Sequence, residues 1–223
     1  LVVPFEEATG GYLVEGYGLS ECSPVLMANP VAENRVPGTV GLPLPGTECR
    51  VVDPENPTED VPQGSAGELV VRGPQVFSGY YGKPEETESV FVDGWYRTGD
   101  IVTIDDAGFV RIVDRIKELI ITGGFNVAPT EVENALRQHP LVSDAAVVGL
   151  PSDHSGEEVV AAIVVDAGAD IDVEAVREFV RGILTPYKVP RRVFVVDELP
   201  KSLIGKVLRR QVKEHLVTLT GAK

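Results

Sequence analysis

"DRIKELIITGGFNVAP", Asp114–Pro129, is where the pattern of this 223-residue chain changes. Upstream of it, glycine and proline are frequent, and short runs rich in β-branched residues lie between them. These runs are "TECRVVD" (47–53), "GELVVRG" (67–73), "DIVTIDD" (100–106) and "FVRIVDR" (109–115). Turns at such short spacing predict antiparallel sheet or a small barrel, and "DDAG" at Asp105–Gly108 suits a hairpin turn. Within the stretch itself, "KELIITGGFNV" reads as two short strands around the Gly123–Gly124 turn. Downstream, strands mix with helices. "PTEVENALRQH" predicts a helix with Thr130 as N-cap and Glu133 three residues on, a capping box. "SDAAVVGL" and "EVVAAIVVD" read as apolar strands, and "DVEAVREFVRGIL" as a helix with Val173, Val176, Val180 and Ile183 on one face. "RRVFVVD" reads as a strand and "KVLRRQVKEHL" as a last helix. The fold expected is α+β: a β-rich, barrel-like region over residues 1–114, then a small α+β domain over 115–223.

Composition narrows the function. With 43% apolar and 24% charged residues, the chain suits a globular protein with room for real cores. Its net charge is −14, but the segment from Thr185 onward carries nine Lys/Arg against three Asp/Glu, which leaves −20 for the rest. A nucleic-acid partner is not expected of such a body, whereas the basic tail could hold a small polyanion. No apolar run approaches the roughly 18 residues of a membrane span, so at most peripheral membrane contact is expected. Cys22 and Cys49 have no metal-ligand spacing, which points to a cytoplasmic setting. The chain starts at Leu1 in a segment that reads like the middle of something. A fragment is expected, with a tag-cleaved whole protein as the alternative.

Four constellations could carry chemistry, and each has a plainer reading beside it. In "EGYGLSE" (15–21), Gly16 and Gly18 would let the backbone pass close to a ligand and Tyr17 offers a flat face for a ring. Ser20 can donate to a phosphate and Glu21 can hold Mg²⁺ or its waters. The same residues can simply end a strand. In "GWYRTGD" (94–100), a turn ending in Asp100 could accept the two hydroxyls of a ribose; Thr-Gly-Asp is also a common hairpin turn. In Asp114–Pro129, Arg115 could reach a ribose or phosphate, and the Gly123–Gly124 turn invites close approach; an ordinary hairpin with solvated charges reads equally well. In "ELPKSLIGKVLRR" (198–210), Gly205 frees the backbone so that a mobile loop could deliver Lys206 to a phosphoryl group. The alternative is a basic loop capping the last helix.

Together with "GELVVRGPQVFSGYYGKPEET" (67–87), these five signatures resemble, in order and spacing, the C-terminal half of the AMP-forming acyl-CoA synthetases of the adenylate-forming superfamily. The resemblance covers essentially the whole chain. It implies that Tyr17 is an adenine platform and Ser20 an α-phosphate contact, and that Glu21 serves Mg²⁺. Asp100 and Arg115 would hold the ribose, and Lys117 would be the interdomain hinge. Lys206 would be the adenylation lysine, and the Gly123–Gly124–Phe125 turn would enter the site when coenzyme A does. The implied reaction uses ATP to form an acyl-AMP from a carboxylic acid, a fatty acid for preference, and then transfers the acyl group to coenzyme A. AMP is released. One departure is that Ile121 and Gly123 stand where plant-type members carry lysines, so cation contacts from that stretch are not expected. The family's pyrophosphate loop belongs to a region upstream, so the missing N-terminal part of the same polypeptide is an expected partner. Alternatives are an acyl-AMP ligase that does not use coenzyme A, a peptide-synthetase adenylation domain, and a non-catalytic fragment or binding module.

Overall fold

The computed structural model describes residues 2–152, 154–166, 171–203 and 205–220. They form two compact units, Leu1–Ile116 and Lys117–Lys223.

The first unit is mostly β. After α1 (Val2–Thr9) comes an antiparallel three-stranded sheet of β1 (Gly16–Gly18), β2 (Val25–Ala28) and β3 (Leu42–Pro43). A second antiparallel sheet follows, built from β4 (Glu48–Val52), β5 (Gly67–Arg72), β6 (Phe91–Val92), β7 (Trp95–Ile104) and β8 (Val110–Arg115). Its order is β4-β5-β7-β6, with β8 also on β7, and α2 (Pro84–Ser89) precedes β6. The two sheets meet at an edge. The Val40 N–H donates to the Val110 carbonyl at 2.8 Å, and the Val110 N–H donates to that of Gly41 at 2.9 Å. Gly41 sits at φ +86°, and a Cβ there would lie 2.0 Å from the Ala28 carbonyl carbon, so no other residue fits this junction. Leu69, Val70 and Val71 are buried on both faces of β5, which is why "LVV" reads as an unbroken apolar run rather than an alternation. At the expected hairpin, the Gly108 N–H donates to the Asp105 carbonyl at 3.0 Å, while the Asp105 carboxylate accepts from the amides of Ala107 and Phe109.

The second unit is a mixed sheet with helices on both faces. Its elements are β9 (Ile120–Thr122), β10 (Phe125–Val127), α3 (Pro129–Leu136), β11 (Val142–Ser152), β12 (Gly156–Val165), α4 (Val173–Arg181), β13 (Arg192–Val195) and α5 (Arg209–Thr220). The sheet order is β10-β9-β12-β11, and β13 lies parallel to β12. Period-2 alternation sorts the long strands. Ala145, Val147, Val159, Ala161 and Ile163 share a core with Val132 and Leu136 of α3 and Val176 and Val180 of α4. Ala146, Val148, Leu150, Val160 and Ala162 face Val212 and Leu216 of α5. Each fully buried Val or Leu contributes roughly 1.5–3 kcal/mol, so both faces are well driven.

Two local expectations change. Helix α3 begins at Pro129, with Ala128 as its N-cap and no side-chain cap, so Thr130 is inside the first turn and the capping box does not form. Proline presets φ for the first helical position and displaces the start by two residues. Instead, Glu133 accepts the Val147 amide at 3.0 Å. In α4, Val176 and Val180 are buried as expected, but the helix ends at Arg181, and Ile183 beyond it is exposed. Among the described residues no helix is long and apolar enough to cross a membrane.

Candidate active site

The first unit gathers three of the residues singled out in the sequence. Tyr17 sits in β1 between two glycines. A Cβ on Gly18 would fall 1.8 Å from the Pro24 carbonyl oxygen, so this glycine serves a close approach of the chain to itself, where the sequence suggests approach to a ligand. Gly16 is less restricted, its nearest contact being the Met27 carbonyl oxygen at 3.3 Å. The Tyr17 ring lies against the core cluster of Cys22, Leu26 and Met27, and its hydroxyl donates to Asp100 Oδ2 at 2.5 Å. Burial, together with the neighbouring carboxylate, pushes the Tyr17 phenol well above its ordinary range and keeps it a donor.

Asp100 comes from "RTGD", which the sequence reads as a turn. In the structure it is a bulge inside the ten-residue strand β7. Gly67 and Glu68 pair with Val102 and Ile101, and then Val70 pairs with Arg97, so Leu69 alone stands opposite Thr98–Asp100. Gly99 holds φ +72° with nothing near its missing Cβ, so its requirement is conformational. On the other side Asp100 is the register partner of Arg115 in β8, whose Nε donates to Oδ1 at 3.1 Å. The result is a buried carboxylate held between a phenol and a guanidinium, with lone pairs left for two more donors.

Glu21 lies in the 3-10 turn Ser20–Cys22, where Ser20 is exposed. Its Oε1 accepts the Tyr80 hydroxyl at 3.0 Å, and its carbonyl accepts the Phe77 N–H at 2.7 Å. Phe77 packs edge-on to Tyr80 and Tyr96 and stacks on Phe91, which fixes this corner. Burial and the Glu21 carboxylate raise the Tyr80 phenol as well.

In the second unit, Gly123 and Gly124 form the two-residue turn of the β9–β10 hairpin at φ +57° and +81°, as the sequence predicts. Phe125 follows and stacks on Tyr187 with ring centroids 4.4 Å apart, and Ile121 is exposed on β9. Lys117 is exposed in the 3-10 turn Ile116–Glu118, at the border of the two units. Lys206 is exposed, in a turn that is pinned rather than open. Lys201 and Val207 form an antiparallel bridge, the Ser202 N–H donates to the Lys206 carbonyl at 2.8 Å, and Lys201 pairs with Asp144 at 2.7 Å. Lys206 and the Gly123–Gly124 turn occupy separate turns of this unit.

Four residues with clear local roles escape the sequence reading: Glu68, Arg97, Thr98 and Tyr80. The available signals are a charged residue inside the buried run "GELVV" and a glycine inside a strand pattern.

The chain matches two family models, AMP-binding enzyme over residues 1–81 and AMP-binding enzyme C-terminal domain over residues 131–206. It is 47% identical over 207 residues to a long-chain-fatty-acid–CoA ligase of Escherichia coli O6:H1, covering 93% of this chain and 36% of that protein. It is 46% identical over 211 residues to one of Bacillus subtilis strain 168, covering 95% and 38%. Among solved structures, ATP-bound MatB from Rhodopseudomonas palustris superposes with a TM-score of 0.88 at 41% identity, over 98% of this chain and 43% of that one. The chain thus spans a little over a third of the length of these curated relatives. It belongs to the AMP-binding, adenylate-forming family of enzymes.

Proposed function

We propose that this chain is the C-terminal portion of an AMP-forming acid–thiol ligase, one that activates a carboxylic acid with ATP and passes the acyl group to coenzyme A. The observation that carries the reading is the buried Asp100 carboxylate between Tyr17 and Arg115, in a chain of this family. The names of the relatives favour a fatty acid as substrate. In this reading residues 1–114 complete a large nucleotide-binding domain, and 115–223 are a small domain that moves about Lys117. The remaining ATP and acyl pockets belong to an N-terminal region of the kind the longer relatives carry.

The chemistry has two steps. In the first, a carboxylate oxygen of the acid attacks the α-phosphorus of ATP. The bond to the bridging oxygen breaks, and pyrophosphate leaves with the electron pair. The Tyr17 ring lies beside the adenine, and Asp100 accepts from the ribose hydroxyls while Arg115 keeps that carboxylate in place. Ser20 donates to the α-phosphate. The Lys206 ammonium bridges the acid and the α-phosphate and offsets the charge that builds there. Because the Lys206 turn is pinned at its stem, the lysine travels with its unit rather than by flexing of the turn. No group of three or more His, Cys, Asp or Glu residues able to hold a metal occurs among the described residues, and Glu21 itself offers a single carboxylate. It therefore suits Mg²⁺ that takes its other ligands from phosphate and water. Such an ion would supply charge neutralisation on the triphosphate.

In the second step the coenzyme A thiol gives up its proton and its sulfur attacks the acyl carbon. The acyl–oxygen bond to AMP then breaks. The small domain rotates between steps, withdrawing Lys206 and bringing Gly123, Gly124 and Phe125 to the thiol's path. The test is acid-dependent exchange of labelled pyrophosphate into ATP by the full-length protein, across acids of increasing chain length. Exchange that requires a fatty acid supports the proposal, and exchange that is independent of any acid contradicts it.

A further inference from the structure

We propose that Glu68 is a positioning residue that aims Asp100 at the ribose; the inference rests on the role given to Asp100 above. Asp100 does not project from an ordinary strand. It ends a three-residue bulge, Thr98–Asp100, that stands opposite the single residue Leu69, and a bulge re-aims the side chains it carries. A bulge leaves backbone groups without ladder partners, and side chains satisfy them here. Thr98 Oγ1 donates to the Leu69 carbonyl at 2.8 Å and accepts the Asp100 N–H at 3.1 Å. The Gly99 N–H donates to Glu68 Oε1 at 3.2 Å. The other Glu68 oxygen, Oε2, accepts both Arg97 Nε at 3.0 Å and Arg97 Nη2 at 2.5 Å. Arg97 is tied in turn to the Pro54 carbonyl at 3.1 Å.

One carboxylate thus grips Gly99, just before Asp100, and Arg97, just before the bulge. Glu68 is 1% exposed, and a fully buried glutamate is rare unless paired. Stability alone does not call for it, since apolar residues of similar volume commonly serve as well as a buried ion pair. The geometry gives it a more specific use. Gly99 is held at φ +72°, a conformation without a side-chain anchor of its own, and Glu68 supplies the anchor through the amide. Release of that amide lets the Thr98–Gly99 peptide turn just before Asp100, and the carboxylate leaves the direction shared with Tyr17 and Arg115.

The experiment compares kcat/KM for ATP with kcat/KM for 2′-deoxy-ATP and 3′-deoxy-ATP in the full-length enzyme. Wild type, Glu68→Gln and Asp100→Asn are measured side by side. Asp100→Asn is expected to collapse the preference for ATP. Glu68→Gln keeps the side-chain volume but loses the charge. It is expected to lower the same preference about tenfold, the worth of one hydrogen bond to a charged group. A merely structural role would depress all three nucleotides in proportion. The proposal is overturned if Glu68→Gln leaves the ATP preference at the wild-type value while Asp100→Asn collapses it. If Asp100→Asn itself leaves the preference intact, the ribose role of Asp100 fails first, and the role of Glu68 fails with it. Should Glu68→Gln not fold, Arg97→Lys decides by the same ratio, because it removes the forked donors and leaves Glu68 in place.

Discussion

Replacing Arg209 with methionine removes the cation at the centre of the second unit's polar network. Glu133 is only 6% exposed, and its carboxylate accepts Arg209 Nε at 2.9 Å and Nη2 at 2.8 Å, besides the Val147 amide. Arg209 also pairs with Glu118 and donates to Thr130 Oγ1 at 2.7 Å. Removing one partner of a buried ion pair costs about 3–5 kcal/mol, because the remaining charge is left desolvated. The Arg209 side chain is 22% exposed, so water can enter in its place, and the lower end, about 3 kcal/mol, applies here. The assay is native-state amide exchange on this chain, read at Val147, Val160, Ala161 and Ile163, all buried in β11 and β12. Trp95, the single tryptophan, lies in the first unit and reports separately on that unit in urea. Adding Glu133→Gln to Arg209→Met removes the stranded charge and is expected to restore about 1–2 kcal/mol, a coupling typical of residues in one network. A loss below about 1 kcal/mol for the single variant, the range of surface ion pairs, would refute the reasoning. So would strict additivity in the double variant.

Three further outcomes are expected. In the full-length enzyme, Lys206→Ala slows adenylation about a hundredfold or more, as loss of one preorganised donor does. Conversion of supplied acyl-adenylate to thioester survives, and equal loss in both half-reactions would make Lys206 structural. Lys117→Pro does the reverse: fixing φ at the junction leaves pyrophosphate release intact and slows thioester formation, so a burst of pyrophosphate without matching thioester is the signal. Burial lifts the Cys22 thiol to about 11, with Glu21 adding to it, and lifts Cys49 to about 12 by burial alone, from the ordinary thiol value of 9.0. Both shifts are upward, so their stability contribution is complete below pH 9 and is lost as pH rises through 11 to 12. Urea midpoints should therefore fall on that alkaline limb, and replacing both cysteines with alanine should make it shallower, the raised Tyr17 and Tyr80 phenols acting in the same direction; an unchanged limb would assign the alkaline loss to the other groups.

The parts of the fold that were legible in the sequence are those set by neighbours in the chain. "SDAAVVGL" and "EVVAAIVVD" announce strands because both their faces are buried, and Gly123–Gly124 announces its hairpin because two successive positive φ angles favour glycine. The same holds for Asp105–Gly108, where one carboxylate caps its own turn. The rest depends on partners far along the chain. The bulge under Asp100 is specified by Glu68, 29 residues before Arg97, and without that partner Thr-Gly-Asp reads as a simple turn. Tyr80 reaches Glu21 across 59 residues, and Arg209 reaches Glu133 across 76. Thr130 illustrates a competition between local signals, in which the proline at the first helical position prevails over the hydroxyl cap. Tyr17, Asp100 and Arg115 were legible as separate motifs, but only register places them together, since Asp100 and Arg115 are cross-strand partners.

Following every product of one reaction decides whether the enzyme is an AMP-forming ligase that ends in a thioester. The full-length enzyme is mixed with ATP, Mg²⁺, coenzyme A and a long-chain fatty acid, and the nucleotides, phosphates and thioester are measured together. AMP, pyrophosphate and acyl-CoA are expected in equal amounts, each absent when the acid is omitted. ADP and phosphate in place of AMP and pyrophosphate, or AMP formed without any thioester, would contradict it.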